Sequence, residues 1–310
     1  MKTLREAVKD YLMMRQGLGF KLYHVERDLG RFVSFLERKK APHITIDLAM
    51  KWALQPSHVQ PAYWAQRLSS VRGFARHWSA IDPRTEVPPG RLLPFVNRRA
   101  RPYLYTEEEI QRLMAAAKTL PPADGLRRWT YYYLFGLLTV TGLRISELIA
   151  LERRDVDLQE GILTIRGAKF DKSRLVPLHV STRDALRQYG QRRDAYLDRK
   201  GAANFLVSER GRPLEASNVR RTFYRLSQQT GLRRAGDHKG PRLHDFRHRF
   251  ALASLLQWYR TGEDVARLLP VLATYLGHSN VRDTYWYLSA CPQLMGYAVR
   301  RLENRWEVQS

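Results

Sequence analysis

Leu243-His244-Asp245-Phe246-Arg247-His248, Leu276-Gly277-His278-Ser279-Asn280 and Asp283-Thr284-Tyr285-Trp286-Tyr287 follow one another near the end of a 310-residue chain. His244, Arg247 and His278 are side chains suited to holding a phosphate, and a tyrosine that could attack it comes nine residues after the last of them. His-x-x-Arg alone means little in a chain this rich in arginine, and a second copy runs from His24 to Arg27. Its context is what counts. Phe246, Phe250 and Ala253, with Leu252, Leu255, Leu256 and Tyr259, have helical spacing, so His244 and Arg247 share one face a turn apart and can reach a single phosphate. Two tyrosines compete for the nucleophile. Val281, Tyr285 and Leu288 fall at i, i+4, i+7, and Tyr287 lies roughly 200° around the helix from Tyr285. That wheel makes Tyr285 a core residue and Tyr287 the free phenol.

Working outward, composition narrows the partner. The chain carries 53 Lys and Arg against 30 Asp and Glu, a formal charge of +23. The excess is spread through the chain: residues 1–104 hold 19 basic against 8 acidic side chains, residues 105–310 hold 34 against 22. Such a chain calls for a polyanion, which for a cytoplasmic protein is usually nucleic acid, although charge alone does not exclude a ribosomal partner. No apolar run reaches membrane-span length. The first residues lead into a charged amphipathic pattern and not into a signal sequence, so a cytoplasmic, nucleoid-associated protein is expected. The single cysteine, Cys291, leaves no internal disulfide and no cysteine-based zinc site.

The first 82 residues read as a small helical domain. Leu4, Val8, Tyr11 and Leu12 mark a helix stopped at Gly17 and Gly19. Leu29, Phe32, Val33 and Leu36 mark a second, and a short third starts at the N-cap candidate Asp47. Trp64, Leu68, Val71, Ala75 and Trp78 form a ladder with Arg67, Arg72 and Arg76 off the stripe. Residues 83–104, rich in proline and arginine, read as a basic interdomain linker that lets two basic domains close around a duplex. Residues 105–310 form the second domain. It opens with the N-cap Thr106 and acidic Glu107, Glu108 and Glu109, followed by a buried helix from Tyr131 to Val140. Arg144 then starts a helix after Thr141-Gly142. Gly161 to Arg166 and Ser173 to Leu178 read as two strands around a turn carrying Lys169 and Lys172. A helix from Ser181 to about Leu197, a short strand from Phe205 to Ser208, and a helix from about Glu215 to Gln229 complete the approach to His244.

These pieces together resemble the tyrosine recombinases of the phage integrase family. The resemblance rests on Thr141-Gly142-Leu143-Arg144-Ile145-Ser146-Glu147-Leu148, Lys169 ahead of Arg174-Leu175-Val176-Pro177-Leu178, His244-Asp245-Phe246-Arg247, Leu276-Gly277-His278 and Tyr287. Around Thr284 to Ala290 the chain is similar to integrases of bacterial elements that encode several recombinases together. The resemblance implies a mainly α protein of two domains: a helical core-binding domain, and an α+β catalytic domain with a small β-sheet. It also implies a site-specific recombinase that cuts and rejoins double-stranded DNA through a 3′-phosphotyrosyl link with no cofactor, metal or ATP, for integration or excision of a mobile element. Tyr287 would be the nucleophile, Arg144, Arg247 and His278 would hold the phosphate, His244 would help remove the tyrosine proton and Lys169 would be the general acid. Glu147 is expected to orient a partner. Two paired sites imply a tetramer on DNA, with Met295 to Trp306 a candidate for docking on a neighbour, and sister recombinases are possible partners. Two local departures stand out: the hairpin turn is one residue longer than usual, which makes Lys172 a rival to Lys169, and Thr261 to Pro270 lengthens the connection before His278. A type IB topoisomerase and a non-cleaving DNA-binding relative are the alternative readings.

Overall fold

The computed structural model describes residues 2–93, 101–166, 173–198, 203–237, 240–278, 280–290, 294–297 and 299–300, with the backbone alone for 288–290. Lys169, Lys172 and most of the proposed C-terminal docking segment lie outside the described residues. The chain divides into two compact units, 1–100 and 101–310.

The first unit packs four helices, α1 (Leu4–Gly17), α2 (Tyr23–Arg38), α3 (Ile46–Leu54) and α4 (Pro61–Trp78), around Leu29, Phe32, Trp52, Leu68, Val71 and Phe74. Thr3 caps α1 in a reciprocal box with Glu6. α3 starts two residues earlier than expected. Thr45, not Asp47, is its N-cap and accepts from the Leu48 amide, while Asp47 sits in the first turn, where a negative charge suits the helix dipole. Of the arginines placed off the α4 stripe, Arg76 is exposed, but Arg67 is buried. Its guanidinium lies 3.7 Å from the centre of the Trp52 ring and donates to the Trp52 carbonyl at 2.6 Å. The segment expected to begin a strap at residue 83 is laid against this unit as far as Leu93. Thr85 is buried, the Ile46 amide donates to Glu86 at 2.6 Å, and Arg72 donates to the carbonyls of Pro88 and Pro89 at 2.8 and 2.9 Å. A proline run cannot continue a helix, yet its carbonyls remain good acceptors.

The second unit contains α5 (Glu107–Ala117), α6 (Arg127–Thr141), α7 (Ile145–Ala150), an antiparallel sheet of β1 (Val156–Asp157), β2 (Ile162–Ile165) and β3 (Arg174–Pro177), and then α8 (Val180–Tyr196), α9 (Ala216–Gln229), α10 (Asp245–Arg260), α11 (Val265–Leu276) and α12 (Arg282–Ala290). The N-cap Thr106 and Glu109 form the expected box. β2 pairs with β3 from Ile162 opposite Pro177 to Ile165 opposite Arg174, so Leu163, Ile165 and Val176 point into the core. Residues 205–208 do not form a sheet strand. Val207 makes one isolated bridge, to Pro213, and Phe205, Leu206 and Val207 are all buried, so the segment serves as core filler. Pro270 lies inside α11 instead of in a longer connection, four residues ahead of Thr274, whose hydroxyl bonds back to the Pro270 carbonyl.

Two cores meet along α10. On one side Phe246 stacks on Tyr105 at 4.4 Å and packs with Phe135 and Phe223. On the other, Ala251, Leu252 and Leu255 pack with Leu269, Leu272, Leu276 and Tyr287. With both faces committed, the start of α10 is fixed against the ends of α6 and α11.

Candidate active site

Two helix ends that each terminate in a glycine build the frame. Gly142 after α6 has φ +60° and Gly277 after α11 has φ +65°, left-handed conformations that an L side chain adopts only with strain. A Cβ would also collide: on Gly142 with Phe250 at 2.7 Å, on Gly277 with Arg174 at 2.8 Å. Helix C-termini leave carbonyls unsatisfied and carry partial negative charge, so they attract guanidinium groups. Arg247, 1% exposed, donates from Nη1 to the Gly142 carbonyl at 3.1 Å and from Nη2 to the Leu276 carbonyl. Arg144 donates from Nη2 to the Gly277 carbonyl at 3.1 Å and from Nη1 to Glu147 Oε1 at 2.7 Å. Glu147 also accepts from the Arg144 amide, closing the cap of α7. It does orient a partner.

His244 caps the start of α10, one turn before His248, and the two rings meet edge to face at 4.7 Å. His278 Nδ1 is 2.7 Å from the Thr284 hydroxyl, and its ring stacks over Tyr287 at 6.3 Å. The Tyr287 hydroxyl lies 3.2 Å from His248 Nδ1, with Trp286 packed against the same imidazole at 5.3 Å. The helical wheel of the sequence had the two tyrosines reversed. Tyr285 is 51% exposed and Tyr287 only 2%. α12 turns Thr284 and Tyr287 inward as an i, i+3 pair: the Tyr287 ring joins the apolar cluster of α10 and α11 while its hydroxyl meets His248, and Thr284 meets His278.

Burial and neighbouring positive charge act in the same direction here. Arg247 is lowered to about 10 by desolvation and by Arg144, and it keeps its charge at neutral pH. His244 is lowered by burial and by Arg247. His278 is lowered to about 4 by burial and Arg247, and His248 to about 3 by burial and His244. The result is two permanent cations and three neutral imidazoles around one phenol. Burial would raise the Glu147 carboxyl, but hydrogen bonds from Arg174 and from the Arg144 amide outweigh it and hold it at about 2. Among the described residues no group of three His, Cys, Asp or Glu side chains could hold a metal ion.

The structure thus gathers Arg144, Arg247, His244, His278 and Tyr287 from four helix ends, and Lys169 falls outside the described residues. Sequence reasoning passed over His248 and Arg174, though both left a signal. His248 is at i+4 from His244, on the same helix face. Arg174 has the strand parity of buried Val176 and pairs with buried Ile165, so its side chain had to point inward.

Residues 104–293 match the phage integrase family. The chain belongs to that family. It is 54% identical over 311 residues, 99% of both chains, to y4rB of Sinorhizobium fredii (strain NBRC 101917 / NGR234), a protein named as an integrase/recombinase. Its fold is that of the Tn1549 transposon integrase solved with transposon right end DNA (TM-score 0.68, 16% identity, 98% of this chain and 99% of that one). It is also similar to lambda integrase, solved as a tetramer bound to a Holliday junction (TM-score 0.61, 20% identity, 92% and 77% of the two chains). As a member of this family the chain is a site-specific DNA recombinase of the tyrosine type. The mainly α architecture with one small sheet agrees with it, and no described helix is long and apolar enough to cross a membrane.

Proposed function

We propose that Tyr287 attacks the scissile phosphate of a DNA strand, forming a 3′-phosphotyrosyl bond and releasing a 5′-hydroxyl, and that the reverse attack by a different 5′-hydroxyl completes recombination. The observation that carries this reading is the contact of the Tyr287 hydroxyl with His248, backed by His244 and stacked by His278, in a pocket where the helix-end carbonyls of Gly142 and Gly277 hold Arg247 and Arg144. Negative charge that builds up on the non-bridging oxygens meets two planar guanidiniums already fixed by helix-end carbonyls, so little reorganisation accompanies the step. A neutral imidazole can accept the phenol proton, which a charged one cannot. His248 makes the hydroxyl contact here and His244 stands directly behind it, so the proton leaves toward this pair. Lys169 protonates the departing 5′-oxygen. The phosphotyrosyl link conserves the energy of the phosphodiester, so no ATP is consumed.

The basic helical first unit serves as the core-binding half, holding phosphates on the duplex. Joining two sites takes four strand cuts, so four copies act together on paired DNA, as in the lambda integrase tetramer. The likeness to the Tn1549 integrase supports movement of a mobile element as the biological setting, with the nucleoid as its place of action.

The test uses a nicked duplex carrying a site selected from random-sequence DNA by covalent capture on the wild-type chain. Tyr287→Phe binds this duplex and yields no adduct in denaturing gels, whereas Tyr285→Phe yields the wild-type amount. An adduct on Tyr287→Phe, or its loss on Tyr285→Phe alone, overturns the assignment.

A further inference from the structure

Arg174 opens β3, and its side chain is only 9% exposed. Its guanidinium makes three directed hydrogen bonds to two other elements. Nε donates to the Tyr275 carbonyl in the last turn of α11 at 2.7 Å. Nη1 and Nη2 donate to the two oxygens of Glu147 at 3.1 and 2.7 Å, the bidentate fork that a planar guanidinium makes with a carboxylate.

The same carboxylate is shared. Glu147 Oε1 accepts from Arg144 Nη1 at 2.7 Å, and Arg144 reaches on through Nη2 to the Gly277 carbonyl. Arg174 lies so close under Gly277 that a Cβ there would meet its Nη1. Two arginines and one carboxylate therefore close a ring through α7, β3 and the turn that carries His278. The charge count is what matters. Glu147 is 7% exposed at its side chain and ionised, and one negative charge can neutralise only one of the two arginines. Arg174 holds both carboxylate oxygens, and Arg144 holds one. Were Arg174 absent, the buried carboxylate would take Arg144 as its sole counter-charge and draw that fork away from an incoming phosphate.

We propose that Arg174 is a positioning residue of the cleavage step: by neutralising Glu147 it leaves the charge of Arg144 for the scissile phosphate, and by gripping the end of α11 it fixes the turn bearing His278. This rests on the reading of Arg144 as a phosphate-holding residue. The two are separable, because that reading fails if the wild-type chain forms no adduct at all, whereas the present proposal concerns only how variants rank.

The experiment measures single-turnover adduct formation by the full chain at saturating protein, at a temperature where every variant is folded by circular dichroism. The substrates are the selected nicked duplex and its counterpart with a methylphosphonate at the scissile position, which removes one oxygen's negative charge. Arg174→Met is expected to slow the phosphodiester reaction about 100-fold, the scale of a displaced catalytic group. The loss shrinks to a few-fold on the methylphosphonate, where less charge has to be met. The double variant Glu147→Gln with Arg174→Met is faster than Arg174→Met alone, since no carboxylate remains to capture Arg144. Should Arg174→Met fail to fold, Arg174→Lys with and without Glu147→Gln gives the same comparison. An equal loss on both substrates, or a double variant no faster than the single one, overturns the proposal and leaves Arg174 a packing residue.

Discussion

Arg67 in the first unit and Arg247 in the second are both buried guanidiniums, 4% and 1% exposed, and they are buried in opposite ways. The Arg67 guanidinium sits over the Trp52 ring and spends one terminal nitrogen on that residue's own carbonyl, while its Nε has no hydrogen-bond partner. An aromatic face answers its charge, and the group behaves as part of the packing. Arg247 is held by two carbonyls at the ends of two different helices, beside a second arginine that repels it. Carbonyl dipoles orient a cation without neutralising it. A buried arginine therefore marks a site when its partners are dipoles and its neighbours are cations, and marks a core when its partner is a ring.

The sharpest way to break this contrast is to remove each group in turn. Arg247→Ala should lower the rate of adduct formation by about 10²- to 10³-fold, the usual loss of one transition-state donor, measured at saturating protein on the selected nicked duplex. Arg67→Ala should leave that rate within a few-fold and instead destabilise the chain by about 2 kcal/mol, from the lost ring contact and the orphaned Trp52 carbonyl. Thermal melting and single-turnover kinetics on the two variants check both halves, and an interchange of the two outcomes would refute the distinction.

Acid supplies the next test, since neutral imidazoles are a cost that only the second unit's site carries in this form. His244, His248 and His278 have folded pKa values below that of free histidine, the last two at about 3 and about 4. The unfolded chain therefore binds more protons than the native one below about pH 6.5. The stability associated with these groups is fully present above that pH and is lost as pH falls toward the folded values. Glu147, at about 2, adds a loss of the same sign below about pH 4.5. Calorimetry between pH 7.5 and 5 isolates the imidazoles, and a melting temperature that does not fall over that range would contradict their burial as neutral groups.

The smallest expected effect compares two glycines in the same backbone region. Gly262 has φ +74° with open space around it, whereas Gly277 has φ +65° and Arg174 beneath it. Gly262→Ala should cost about 1 kcal/mol from backbone strain alone. Gly277→Ala should cost more and slow adduct formation as well, because Arg174 has to move. Equal effects of the two in melting and kinetics would remove Gly277 from the site.

Much of this molecule is legible in its sequence. The N-cap Thr106, the glycine stop at Gly142, the helix over 131–140 and the strand pair around the hairpin follow from local rules that need no tertiary context. The tyrosine wheel shows where such rules end. A three-residue apolar spacing makes Tyr285 a core residue, but the face of α12 that turns inward meets both the apolar residues of α10 and α11 and the imidazoles of His248 and His278, all supplied by other parts of the chain. Asp47 lost the capping position to Thr45 for a related reason, since two residues of suitable type stood within one turn and the fold used the earlier.

By itself, the sequence determined the family, the order of the helices, the excess positive charge and the residue types able to hold a phosphate. All of these reside in spacing and composition, which the chain carries wherever it is. Only the tertiary structure decided which phenol is enclosed, that a third imidazole touches it, and that Arg174 shares a carboxylate with Arg144. The reason is that a hydrogen bond between residues 27 or 133 positions apart leaves no periodic trace along the chain; it exists only once two helix ends and a strand have been packed into register.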